Sequence, residues 1–141
     1  MAPPAVKSAR PPFTVNSKEE YETIIKQTLD SLNIQLVVLA GYMRLIGSTL
    51  LKGYENKIIN IHPSLLPLYK GKDAVGQAMK DNAKTTGVTV HYVDSGMDTG
   101  NIIKQESLDI SQLKTRFEIE TNIHKIEHKI YKEVIKQLLE E

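Results

Sequence analysis

Apolar residues recur along this chain at helical spacing in some stretches and in continuous or alternating runs in others. Tyr21, Ile24, Ile25, Leu29 and Leu32 follow one another at helical intervals, so 18–32 reads as an amphipathic helix. Ser17 and Glu20 stand at its start in the pattern of a capping box. "IQLVVLA" (34–40) is a continuous apolar run closed by Gly41, which predicts a buried strand. A short helix is expected from Ser48 to Gly53, and the β-branched "KIIN" (57–60) predicts a second strand. Pro63 and Pro67 then stiffen the chain and bias it away from regular structure, so the strand is expected to leave the sheet at Asn60.

Asp73 suits the cap of a helix over 74–81. In "GVTVHYVD" (87–94), Val88, Val90 and Tyr92 face one way and Thr89, His91 and Val93 the other, the mark of a strand with two unlike faces. "SGMDTG" (95–100) is a glycine-punctuated loop, and "NIIKQESLDI" (101–110) reads as a further strand. Thr115 and Glu118 open a long helix over 116–140, with Ile119, Ile123, Ile126, Ile130, Val134 and Leu138 on one face. Strands alternating with helices predict a single α/β domain. The first sixteen residues, with four of the six prolines and no periodicity, read as an extended lead-in to a domain over 17–141.

Composition changes this picture little. A chain of 141 residues with 40% hydrophobic and 25% charged residues buries an ordinary core. A net charge of +1 gives no electrostatic reason to expect nucleic acid or an acidic membrane surface. The absence of cysteine rules out disulfides and thiolate metal sites. No apolar run approaches the ~20 residues of a membrane span, and the N-terminus lacks the core of a secretory signal, so a cytoplasmic protein is expected.

Candidate chemistry gathers in three constrained loops that follow predicted strands: 41–46, 60–67 and 94–100. Ligands of open α/β sheets bind at such strand ends. Asn60, His62 and Asp98 meeting there would suit acyl transfer: an amide donor for an oxyanion, an imidazole for charge or protons, and a carboxylate to hold the imidazole or shuttle a proton. Each residue also has a plain reading. His62 and His91 would serve as structural hydrogen-bonders, Asp98 as a turn residue, Arg44 as a partner of a surface carboxylate, and Met43 and Leu45 as core. A metal held by His62, His91 and Asp98 is conceivable from residue types, but no HExxH-type spacing supports it, and none is expected.

Taken together, "LAGYMRLIG", "INIHPSLLP", "TVHYVDSGMDTG" and "IHKIEHKIY" resemble the folate-dependent formyltransferases, and among them the C-terminal two-thirds of the glycinamide ribonucleotide transformylases. The resemblance implies a Rossmann-like fold with a mostly parallel sheet flanked by helices. It implies transfer of formyl from 10-formyltetrahydrofolate to the amine of glycinamide ribonucleotide in purine biosynthesis. It makes Asn60, His62 and Asp98 the catalytic trio, with His91 in support. Met43, Arg44, Leu45 and Ile46 would hold the folate from one side, and Val93, Asp94 and Ser95 from the other. Glu127 and His124 fall where the family holds the ribonucleotide.

One part of the family pattern has no match: the glycine-rich loop whose backbone N–H groups bind the phosphate, since no glycine precedes Gly41. A short chain of doubtful activity, self-associating through an exposed sheet edge, is the corresponding expectation. Two other functions share the motifs. A formyltetrahydrofolate hydrolase would use water as acceptor, and a non-catalytic folate-binding fragment would bind without turnover.

Overall fold

A computed structural model describes residues 17–40 and 45–140; the lead-in read over 1–16 and the candidate residues Met43 and Arg44 lie outside them. The described elements run α1 (Lys18–Ser31), β1 (Val37–Leu39), α2 (Ser48–Gly53), β2 (Ile58–His62), α3 (Ala74–Lys80), β3 (Thr85–Tyr92), β4 (Ile102–Asp109) and α4 (Arg116–Glu140). At both expected caps the side-chain oxygen accepts an N–H of the first turn, Glu20 N–H donating to Ser17 Oγ at 3.1 Å and Glu118 N–H to Thr115 Oγ1 at 3.2 Å.

The strands make one sheet in the order β1-β2-β3-β4. The α/β class and the flanking helices are as expected, while the strand directions refine the reading. β1 pairs with β2 in parallel, but β2 with β3 and β3 with β4 are antiparallel. The segment joining β3 to β4 is too short to carry a helical crossover, so the chain turns back on itself. Gly100 permits that reversal, since a Cβ there would lie 1.7 Å from the Tyr92 carbonyl oxygen.

The two unlike faces read from β3 are both covered. On one, Ile59, Val88 and Val90 pack with Ile119, Ile123, Ile130 and Val134 of α4, all nearly solvent-free. Truncating such a side chain costs about 2–5 kcal/mol. On the other, Ile58 joins Ile46, Leu50 and Tyr54, flanked by Ile25 and Leu29 of α1 and by Val93. The second cluster contains a charge that periodicity did not single out. Glu22 lies on the apolar stripe of α1, 1% exposed, and its Oε2 accepts the Gly47 N–H at 2.7 Å. Gly47 has no side chain with which to cap α2, and Glu22 supplies the missing acceptor.

β2 runs two residues past the exit expected at Asn60. Ile61 and His62 still pair with Val90 and Thr89, and the strand stops only where Pro63 has no N–H to offer. Among the described residues, no helix is long and apolar enough to cross a membrane.

Candidate active site

The two-residue extension of β2 decides where the site is built. Asn60 and His62 stand on one face of the strand, opposite His91 and Thr89 of β3. Of these four side chains, Asn60, His62 and His91 enter one polar cluster. The loop after β3 brings the fourth, Asp98, whose φ of +56° is a left-handed conformation that aspartate and asparagine adopt more readily than most residues.

Asp98 is buried between two histidines. His62 Nδ1 lies 3.4 Å from Asp98 Oδ2, and His91 Nε2 lies 3.6 Å from Oδ1. The Gly71 N–H donates to Oδ2 at 2.9 Å. On each ring the nitrogen away from Asp98 meets a backbone carbonyl: His62 Nε2 lies 2.7 Å from Tyr69 O, and His91 Nδ1 lies 2.8 Å from Tyr92 O. A carbonyl only accepts, so His62 Nε2 and His91 Nδ1 must each carry a proton. The nitrogens facing Asp98 are then either lone pairs or the sites of a further proton.

The Tyr69 carbonyl is itself held in place. Thr89 Oγ1 accepts the Leu66 N–H at 3.1 Å and donates to Ser64 O at 2.7 Å, and Ser64 Oγ donates to Leu68 O at 2.5 Å. The proline loop is therefore pinned from the sheet. Two buried polar atoms in this region have no protein partner, Asn60 Oδ1 and His91 Nε2, and they belong to residues directly opposed across β2 and β3.

Asn60, His62 and Asp98 line a cavity of about 420 Å³ that α4 closes from the other side with Arg116, Glu120, Ile123, His124 and Glu127. Burial holds the Glu127 carboxyl above the usual range, against the smaller opposing pull of His124 and His128. His124 Nε2 is 3.9 Å from Glu127 Oε1, its own side chain mostly in solvent. At the cavity mouth Arg116 is committed to Asp73 and to Glu120. Among the described residues, no group of three or more histidines, cysteines or carboxylates is arranged to hold a metal ion.

The structure thus gathers Asn60, His62, Asp98, His124 and Glu127 around one space, with His91 behind Asp98 and outside the lining. It does not bring Leu45, Ile46, Val93, Asp94 or Ser95 into that lining. Ile46 is core, Val93 packs against the same cluster, and Leu45 is largely exposed. Asp94 organises its own loop, accepting from Thr99 Oγ1 at 2.5 Å and Gly96 N–H at 2.9 Å, and the Thr99 hydroxyl leads in holding its carboxyl below the usual range. Ile46 and Val93 do share one apolar cluster.

Comparison with known proteins agrees with this architecture. The family model described as formyl transferase matches residues 2–135. Phosphoribosylglycinamide formyltransferase of Bacillus subtilis (strain 168) is 55% identical over 128 residues, covering 91% of this chain and 66% of that protein. The trifunctional purine biosynthetic protein adenosine-3 of Homo sapiens is 36% identical over 115 residues, covering 82% of this chain and 11% of that protein. The crystal structure of phosphoribosylglycinamide formyltransferase from Bacillus halodurans superposes with a TM-score of 0.85 at 51% identity, covering 89% of this chain and 64% of that one. The chain thus spans about two thirds of the length of these bacterial relatives. With nearly all of its sequence inside the family match and its fold laid over that of a solved relative, the chain belongs to the formyl transferase family.

Proposed function

We propose that this chain carries the formyl-transfer half of a glycinamide ribonucleotide transformylase, moving formyl from 10-formyltetrahydrofolate to the primary amine of glycinamide ribonucleotide. The observation that carries the reading is Asp98 held between His62 and His91, with Asn60 beside them on the same cavity. The relatives named above support it.

The amine nitrogen attacks the formyl carbon, forming a C–N bond while the carbonyl electron pair moves onto oxygen. Asn60, which lines the cavity, is the direct donor to that oxyanion through its side-chain amide. His62 acts differently from a simple donor. Its Nε2–H is committed to Tyr69 O and its Nδ1 faces Asp98, so it acts on the reacting atoms beside Asp98 rather than as a free donor. Asp98 takes the proton shed by the attacking nitrogen, through water. The C–N10 bond then breaks, and N10 of tetrahydrofolate recovers a proton. Glu127, with His124 one turn earlier, faces the cavity where ribose hydroxyls would donate to its carboxylate. The folate would lie along the segments after β1 and β3, with Met43, Arg44, Leu45 and Ile46 on one side and Val93, Asp94 and Ser95 on the other.

The test supplies the purified chain with both substrates and follows tetrahydrofolate. Formation that depends on the ribonucleotide supports transfer. Formate released without the amine would make the chain a hydrolase instead, and binding of a folate analogue with neither product would make it a folate-binding fragment. The exposed Val38 on edge strand β1 supports pairing of two copies, which sedimentation at two concentrations checks.

A further inference from the structure

α4 holds one polar group that the proposed chemistry leaves unused. Tyr131 lies one turn beyond Glu127, on the same face of the helix. Its hydroxyl reaches two backbone carbonyls on different strands, Leu39 O at 2.5 Å and Ile59 O at 3.2 Å. Leu39 and Ile59 are near-neighbours in the parallel β1–β2 register, where Leu39 stands opposite Asn60. The ring itself packs against the α4–sheet core. Leu39 is the last residue of β1, and the next residue, Ala40, lines the cavity; Ile59 immediately precedes Asn60. One phenolic hydroxyl therefore ties α4 to the end of β1 and to the residue before Asn60 in β2.

We propose that Tyr131 is a positioning residue that sets the distance between Glu127 on α4 and Asn60 in β2. Its consequence for catalysis rests on the function proposed above; the clamp itself does not. A substrate anchored by a carboxylate on one wall and attacked beside an amide on the other needs that span fixed, and a misplacement of ~1 Å costs on the order of 10²-fold in rate. The packing of α4 on β3 and β4 through Ile119, Ile123, Ile130 and Val134 holds the helix to the sheet. Apolar packing is non-directional and leaves sliding along the helix axis less constrained than a hydrogen bond to fixed carbonyls does.

The test compares the 141-residue chain with Tyr131→Phe by amide hydrogen exchange, which needs neither substrate nor turnover. The clamp predicts that exchange at Val38, Leu39, Asn60 and Ile61 speeds about tenfold or more beyond any change at Val88, Val90 and Val134, and that the Asn60 side-chain amide resonances shift. Uniform acceleration through the whole molecule would mean that the hydroxyl only adds stability, and unchanged exchange would mean that it does nothing; either result overturns the proposal. Should Tyr131→Phe fail to fold, the wild-type chain decides. Its Tyr131 hydroxyl proton must then be seen as a slowly exchanging resonance close in space to Leu39 and Ile59, and a freely exchanging hydroxyl overturns the clamp. Where transfer is measurable, Tyr131→Phe lowers kcat with little change in KM. The exchange result stands even if the transfer assay shows the functional reading to be wrong.

Discussion

The cavity has charged groups at both its floor and its mouth, and the two are built differently. At the floor, Asp98 is 8% exposed, and each histidine beside it is held by a bond to a backbone carbonyl. At the mouth, Arg116 joins Asp73 and Glu120 through long side chains that are 50%, 56% and 38% exposed. Backbone-anchored groups in a dry pocket keep their geometry when a substrate enters, and their fields are little screened. Exposed side chains reorganise and are screened by salt, so a short contact there adds little stability. The lesson is that proximity to the cavity does not assign a role; the way each group is anchored does.

The largest expected effects are therefore at the floor. Asn60→Ala and Asp98→Asn each should lower transfer by about 10²–10³-fold while leaving the melting temperature within a few degrees. Asparagine suits the left-handed backbone at 98, so the second substitution removes the carboxylate without adding strain. Steady-state assays beside thermal melts check both, and a mild effect of Asp98→Asn would reduce that residue to shaping its loop.

Glu127 lies between the two regions and gives a pH-dependent test. Its folded-state value is raised above the ordinary 4.5 because burial penalises the charged form. Its contribution to stability is thus whole below 4.5 and is lost as pH rises through the raised value. Glu127→Gln stays neutral and escapes that loss, so its stability relative to wild type should improve between about pH 4 and pH 7. Urea unfolding of both proteins across that range measures it. A constant difference would show that the carboxyl is not desolvated.

The smallest effect belongs to the mouth. Arg116→Ala should change stability little, and by less as salt is raised. A large, salt-independent loss would mean that the two regions are not as unlike as their exposure indicates.

Apolar runs, periodicity and caps together predicted an element of the right type at each described helix and strand, periodicity being decisive for α1, β3 and α4. Ser17, Thr115 and Asp73 were legible as caps, since short polar side chains before apolar periodic runs have a local cause. The strand directions were not legible, because they depend on how a nine-residue connection turns back rather than on any pattern within a strand. The end of β2 was misjudged for a similar reason. Pro63 was read as disturbing the residues before it, whereas pairing with β3 keeps Ile61 and His62 in the sheet. Asn60, His62, Asp98, His124 and Glu127 were legible as a set through the family resemblance and do share one cavity, but their anchoring was invisible. The carbonyls of Tyr69 and Tyr92 have no sequence signature, as every residue offers one. Glu22 did leave a signal, a carboxylate three and seven residues before Ile25 and Leu29 on an otherwise apolar stripe. A buried charge there requires donors, and they are the orphan N–H groups at the start of α2.

The central claim is that the backbone fixes the histidine protons and leaves both rings aimed at Asp98. Two-bond proton–nitrogen correlation spectra of the folded chain test it without substrate. His62 is predicted to carry its proton on Nε2 and His91 on Nδ1 at every pH where the fold persists, whatever further proton the cluster holds. A bare Nε2 on His62, or a bare Nδ1 on His91, would contradict the account.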